Sequence, residues 1–281
     1  MNTEHIKDAL TEISIVDLVV CLAGLTLLAC WLLRTSFGRK ALIHSEPRRN
    51  RLGIYIPLIP YAVCSLTVWL GLLIEKKLLG ESAGWQAVFA DNFIMCVGAL
   101  SGIAVIIVIA RRYFARRLRG FGLDARTVRA DFGAALVNLL TIMPVVIATI
   151  ILTTYVSRLI AGPGFEMPQH AELKEIASYP QPAVRVVICI SAIVVVPIFE
   201  EMFFRGLLQT LIRTFSGRPW VSIAISSAIF AAFHQNMPHW PALFVLALCL
   251  GYSYEKSGSL LRPIFIHSLF NAAMVFSALS Q

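Results

Sequence analysis

Three short sets of polar residues interrupt the apolar last third of the chain: Glu200, Glu201 and Arg205; Phe230 and His234; His267 and Asn271. An ionisable group at the centre of an apolar span costs at least ~2.5 kcal/mol on insertion scales, so each such group requires a reason. Glu201 and Arg205 are four apart with the acid first, the favourable order for an ion pair on one helical face. Glu200 lies about 100° further round the helix and has no helical partner of its own. An unpaired carboxyl in a low-dielectric setting can serve as a general base near neutral pH. Pro197 removes a backbone donor just before the acids and can bend the helix there. A purely structural account also exists for each set. The acids could sit at an interface with Arg205 snorkelling outward. His234 could pack on Phe230, and His267 and Asn271, also four apart, could hold helices together by hydrogen bonds. Three such sets on three neighbouring spans favour chemistry over all three structural accounts.

The elements that must position these residues are membrane helices. Of 281 residues, 58% are hydrophobic and 14% charged, where a soluble domain carries roughly a quarter charged residues. The net charge of +8 comes from basic residues in short gaps between apolar runs, which is positive-inside patterning and argues against nucleic acid as a partner. Cys21, Cys30, Cys64, Cys96, Cys189 and Cys249 lie in apolar runs without a CxxC pair, and read as buried thiols packing as small hydrophobes. Glu4, Asp8 and Glu12 make the N-terminus unlike a signal peptide, so the first apolar run is expected to remain.

At about 20 residues per crossing, eight spans are predicted: Ser14–Leu33, Leu52–Ile74, Phe93–Ala110, Phe132–Val156, Ala183–Phe204, Trp220–His234, Pro241–Tyr254 and Leu260–Leu279. The gaps alternate in charge. Arg34–Arg51 and Arg111–Asp131 are strongly basic, Arg205, Arg213 and Arg218 follow the fifth span, and Lys256 and Arg262 follow the seventh. Glu75–Asp91 and Arg158–Pro182 are net acidic. An even number of crossings with both termini outside the cytoplasm follows. The fold class is therefore all-α and polytopic. The chain divides into a four-helix region (1–157), an external loop (158–182) and a second membrane region (183–281). Asp17 and Asn138 read as capping or bridging residues, and Ser226 and Ser227 with Ala224 and Ala228 as a close-packing face. His5, His44, His170 and His239 fall in polar gaps, with only His239 near a candidate site. The depths of the two candidate histidines conflict, however. From the cytoplasmic side His234 is about fifteen residues into its span and His267 about seven, so the sixth helix must start outside the hydrocarbon or tilt, with Gln235–Trp240 dipping inward.

The ordered set EExxxR, FxxxH and HxxxN, spread over roughly Val184 to Phe276, resembles the CPBP family of type II CAAX prenyl proteases and bacteriocin-processing and immunity proteins. The resemblance implies a CAAX-protease-like intramembrane endopeptidase of the cell membrane, acting on a membrane-associated protein or peptide, with its site open to the cytoplasm. Glu200 and His234 would activate a water. His267 and Asn271 would donate hydrogen bonds to the oxyanion. Glu201 and Arg205 would hold the helix and its charges. Family members are commonly called metalloproteases, and Glu200, His234 and His267 could bind zinc. A metal-independent glutamate mechanism is preferred, because zinc would take the base as a ligand. The sequence has no HExxH, no GxSxG and no Gly-rich phosphate loop. Two other readings stand beside the protease: a non-catalytic scaffold or immunity protein of the same fold, and a proton-coupled transporter relaying through Glu200 and His234. The lack of internal duplication weighs against the transporter.

Overall fold

The computed structural model describes residues 14–80, 84–169, 171–234 and 236–280. Glu4, His5, Asp8 and Glu12, His170 and Gln235 lie outside the described residues. Those described form an all-α membrane protein with no strand among them. Eight principal helices coincide with the eight apolar runs: α1 (Ile15–Arg34), α2 (Leu58–Leu79), α3 (Trp85–Tyr113), α4 (Val128–Ala161), α5 (Pro182–Ser216), α6 (Pro219–Ala232), α7 (Trp240–Ser257) and α8 (Leu261–Leu279). Six are long and apolar enough to cross a membrane by themselves. The exceptions, α6 and α7, rise ~21 and ~27 Å at 1.5 Å per residue and pack against each other.

Local chemistry explains the helix ends. Ser14 and Asp17 form a capping box at the start of α1. The Asp17 carboxylate also accepts from the Tyr155 hydroxyl of α4 at 3.2 Å, so it both caps and bridges. Gly24 lets α1 lie on α4, since a Cβ there would stand 2.6 Å from the Pro144 carbonyl oxygen. Asn138 donates to Ser253 across α4 and α7 at 3.4 Å. α3 packs on both α2 and α5, while α4 packs on α7 and α8. Helices of the first half thus pack against those that carry the candidate site.

Three expectations need correction. The fifth helix does not stop near Phe204 but continues to Ser216. Arg205 and Arg213 are therefore buried helical residues, and only Arg218 follows the helix. On α6 the packed face carries Ser222, Ser226, Ser227 and Phe230, whereas Ala224 and Ala228 face outward. Of the cysteines, all free, only Cys96 is buried in the protein, and Cys30 is exposed on a membrane helix.

The four basic gaps meet on one face. Arg213 pairs with Glu255 at 3.0 Å, and Arg48 approaches the same carboxylate at 4.0 Å. Lys256 donates to the Ala41 carbonyl. Asn50 bridges Phe114 in an isolated antiparallel contact, and Leu260 donates to the Gly122 carbonyl at 2.8 Å. Asp131 accepts from Ser259 at 2.6 Å and pairs with Arg262 at 3.1 Å. The second acidic gap meets α3 elsewhere, where Asn92 donates to Glu175 at 2.9 Å. This grouping leads to a topology test. Reporter fusions after Lys40, Arg119 and Arg218 are expected to read cytoplasmic, and a fusion after Met167 external. Two inverted readings would overturn the eight-crossing topology.

Candidate active site

The site is built on α5, which departs twice from regular α geometry. Ser191–Val195 and Met202–Gln209 are π-helical and bracket the acids. Such bulges are rare and concentrate at functional sites. The first has a local cause. The Val196 amide bonds back five residues to the Ser191 carbonyl. In that register the Ala192 carbonyl would receive the next amide, but residue 197 is proline and has none. Asn271 on α8 supplies the missing donor through Nδ2 at 2.7 Å. In the second bulge the Thr210 hydroxyl donates to the Arg205 carbonyl at 3.3 Å.

Past the proline, Glu201 and Arg205 share a face that has no solvent exposure. Arg205 donates through one terminal nitrogen to Glu201 Oε1 at 2.8 Å and through the other to the Ala247 carbonyl at 3.3 Å. Its guanidinium carbon stands 4.6 Å from the centre of the Phe230 ring, within cation–π range. A snorkelling Arg205 is excluded by this burial.

A ladder between α5 and α7 supports that arrangement. Arg205 reaches the Ala247 carbonyl, Gln209 the Gly251 carbonyl at 3.1 Å, and Arg213 the Glu255 carboxylate. The constant offset of 42 residues shows that the two helices run parallel in matched register. Sequence reasoning missed Gln209, Arg213 and Glu255 as partners. The available signal was the four-residue spacing of Arg205, Gln209 and Arg213, which puts polar side chains on one helical face.

The histidines close the site. His267 Nδ1 contacts Glu201 Oε1 at 2.9 Å, so Glu201 joins Arg205 to His267. A carboxylate paired with a guanidinium accepts, and Nδ1 therefore donates. His267 Nε2 then points toward Glu200 Oε2, 3.7 Å away. Glu200 is the acid that keeps some exposure, 21% of its side chain. His234 Nδ1 donates to the Phe230 carbonyl at 2.9 Å, and this also leaves Nε2 available. Both imidazole rings contact the Phe230 ring, with centroids 4.8 and 5.8 Å away. Trp240 holds the other side of His234 by donating to its carbonyl at 2.7 Å.

These contacts resolve the conflict of depth. α6 starts only after α5 has run eleven residues beyond Arg205, and Phe230 lies eleven residues into α6, so the two residues are level. α8 begins deeper, against the turn at Gly122. His234 thus meets His267 through Phe230 although their spans start at different heights.

The structure gathers Glu200, Glu201, Arg205, His234 and His267. Asn271 is on the same helix as His267 but is engaged with Ala192. His239 is turned to the Pro168 carbonyl. As zinc donors, the Glu200 carboxylate and two imidazole Nε2 atoms are chemically apt. Among the described residues, no three His, Cys, Asp or Glu side chains are grouped to hold an ion in this structure.

Residues 182–273 match the family model for "Type II CAAX prenyl endopeptidase Rce1-like", in agreement with the resemblance to the CPBP family. An Escherichia coli relative described as an "Uncharacterized 24.3 kDa protein" is 31% identical over 78 residues, covering 26% of this chain. The match spans little more than a third of that relative, 36% of its length. No solved structure matches the chain. The matched stretch runs from the start of α5 into α8 and contains every residue gathered at the site. The fold and the match together describe a multi-pass, all-α membrane protein with a type II CAAX-endopeptidase-like region.

The environments of the two acids predict opposite responses to the same substitution. Glu201→Gln leaves the Arg205 charge buried and unpaired, and is expected to destabilise the protein by ~3–5 kcal/mol. Glu200→Gln replaces a partly exposed acid with a neutral amide and is expected to fold normally. Asn271→Ala frees the buried Ala192 carbonyl and should cost ~1–3 kcal/mol. Detergent melting curves and membrane yields of the three variants provide the check.

Proposed function

We propose that this chain is an intramembrane endopeptidase that hydrolyses a peptide bond in a membrane-associated protein or peptide, using Glu200 as general base. The observation that carries this reading is the contrast between the neighbouring acids: Glu201 is buried between Arg205 and His267, while Glu200 is partly exposed and faces His267 Nε2.

Charge balance supports a division of labour. In this scheme His267 carries protons on both ring nitrogens, and its charge with that of Arg205 offsets the two carboxylates. Glu201 then acts on His267 as the buried aspartate of a serine-protease triad acts on its histidine, orienting the ring. A water hydrogen-bonded to Glu200 loses its proton to that carboxylate as its oxygen adds to the scissile carbonyl. The resulting oxyanion receives a hydrogen bond from His267 Nε2–H. Collapse of the intermediate breaks the C–N bond, and the departing amine takes the proton from Glu200, directly or through His234 Nε2. The products are a carboxylic acid and an amine, with every group returned to its starting state. Asn271 acts on the helix rather than on the oxyanion in this scheme, through its bond to Ala192.

Two measurements bear on this reading. Glu200→Gln is expected to lower turnover of a membrane-anchored peptide by about 10²-fold or more, as loss of a general base does. Comparison of membrane proteomes with and without the variant should then show unprocessed termini. Normal processing in Glu200→Gln, His234→Ala and His267→Ala alike would leave a scaffold of the same fold. Elemental analysis of active protein is expected to find no stoichiometric zinc. One zinc per chain, with activity lost to a chelator and restored by the metal, would replace the glutamate mechanism.

A further inference from the structure

Away from the catalytic cluster, the connection between α3 and α4 forms a recess of about 640 Å³ lined by Arg111, Arg116, Arg117, Leu118, Arg119, Asp124 and Arg126. Its turn is anchored from beneath. Phe114 and Phe121 are buried and pack edge to face at 5.0 Å. The Tyr254 hydroxyl donates to the Phe121 carbonyl at 3.0 Å. The Phe121 ring covers Gly206, where a Cβ would stand 2.2 Å from its tip. These anchors hold Arg116 and Arg117 in consecutive left-handed conformations, with φ of 65° and 55°. Such values are uncommon for residues other than glycine, and strained backbone tends to be retained at binding sites.

Charge in the recess is unbalanced. Five guanidinium groups face one acid. Asp124 is already committed to Arg126 through contacts of 2.7 to 3.2 Å, with Arg119 at 3.8 Å. These bonds hold its carboxyl at about 2, well below the usual carboxylate range. Arg111, Arg116 and Arg117 have no carboxylate within ion-pair distance among the described residues. Guanidinium groups present paired N–H donors that match phosphate oxygens.

The surroundings indicate where such a phosphate would come from. Directly after Arg126, α4 exposes Val128, Phe132, Leu136 and Leu140 at four-residue spacing, one apolar stripe running from the recess along the membrane-facing surface. A free phosphate would have no use for that stripe, whereas acyl chains would lie along it. We propose that this recess binds the phosphate of an anionic phospholipid, with the lipid tails on the Val128–Leu140 face of α4. Clusters of four to eight basic residues beside a membrane helix have this chemistry in general, and here the fold confines them to one concave site. The inference rests on no part of the catalytic reading.

The test uses the full-length protein in neutral detergent, with fluorescent short-chain phosphatidylglycerol and phosphatidylcholine as probes. Wild type is expected to bind phosphatidylglycerol about tenfold more tightly than phosphatidylcholine, and excess inorganic phosphate should not displace it. Arg116→Asn combined with Arg117→Asn retains a residue type that accepts left-handed backbone, and should lose most of that preference. Arg39→Gln with Lys40→Gln removes the same charge from another basic gap and should leave the preference in place. If the turn variant does not fold, Arg111→Gln, on an exposed helical position, carries the same expectation at reduced size. Equal loss in the Arg39/Lys40 control would mean a diffuse basic surface and overturn the proposal. Displacement of the lipid by inorganic phosphate would also overturn it, in favour of a free-anion site.

Discussion

A guanidinium with no exposure, inside a helix that crosses the membrane, is the constraint around which the second half of this protein is arranged. Taking one charge out of water costs several kcal/mol even after relaxation, and only close partners offset that cost. Arg205 receives a carboxylate from its own helix, a carbonyl from α7 and an aromatic face from α6. Glu201 then passes the interaction on to His267 of α8. Four helices are thereby tied to a single charge. Each tie has a defined direction, so their mutual register is set to within the tolerance of a hydrogen bond.

The second constraint is the backbone of α5. A regular helix keeps its donors and acceptors to itself and so contributes little at its middle. Pro197 and the π-helical register free one carbonyl at Ala192, and the Asn271 amide fills the deficit. α8 is thus held to α5 at two levels, by Asn271 on one side of the proline and by His267 on the other. The outcome is a helix face on which Glu201 is immobilised and Glu200 remains reachable.

Much of the architecture was legible from residue types. The apolar runs read as membrane helices; all eight are helical, and six are long and apolar enough to cross a membrane by themselves. The alternating charges foretold that gaps distant in sequence would share a face, and the contacts of Arg48 and Arg213 with Glu255 and of Arg262 with Asp131 agree. The four-residue spacing of Glu201 and Arg205 was sufficient to pair them, because within one helix geometry follows from sequence separation. The same reasoning singled out Glu200 as the acid without a helical partner.

What the spacing could not decide was anything that crosses from one helix to another. Arg205 and Arg213 counted as gap charges because a charge normally ends an apolar span. They are buried because carbonyls and a carboxylate of α7 wait at an offset of 42 residues, and no local pattern reveals that register. The amide of Asn271 meets a backbone carbonyl 79 residues away, and the deficit it fills exists only once α5 adopts its π register. The separate depths of His234 and His267 became compatible only when α6 proved to start further out than α8. Sequence alone therefore determined which segments enter the membrane and which residues share a helical face, since these depend on composition and on the 3.6-residue turn. Tertiary structure decided which charges are buried and what each polar group meets, since those depend on packing between helices far apart in the chain.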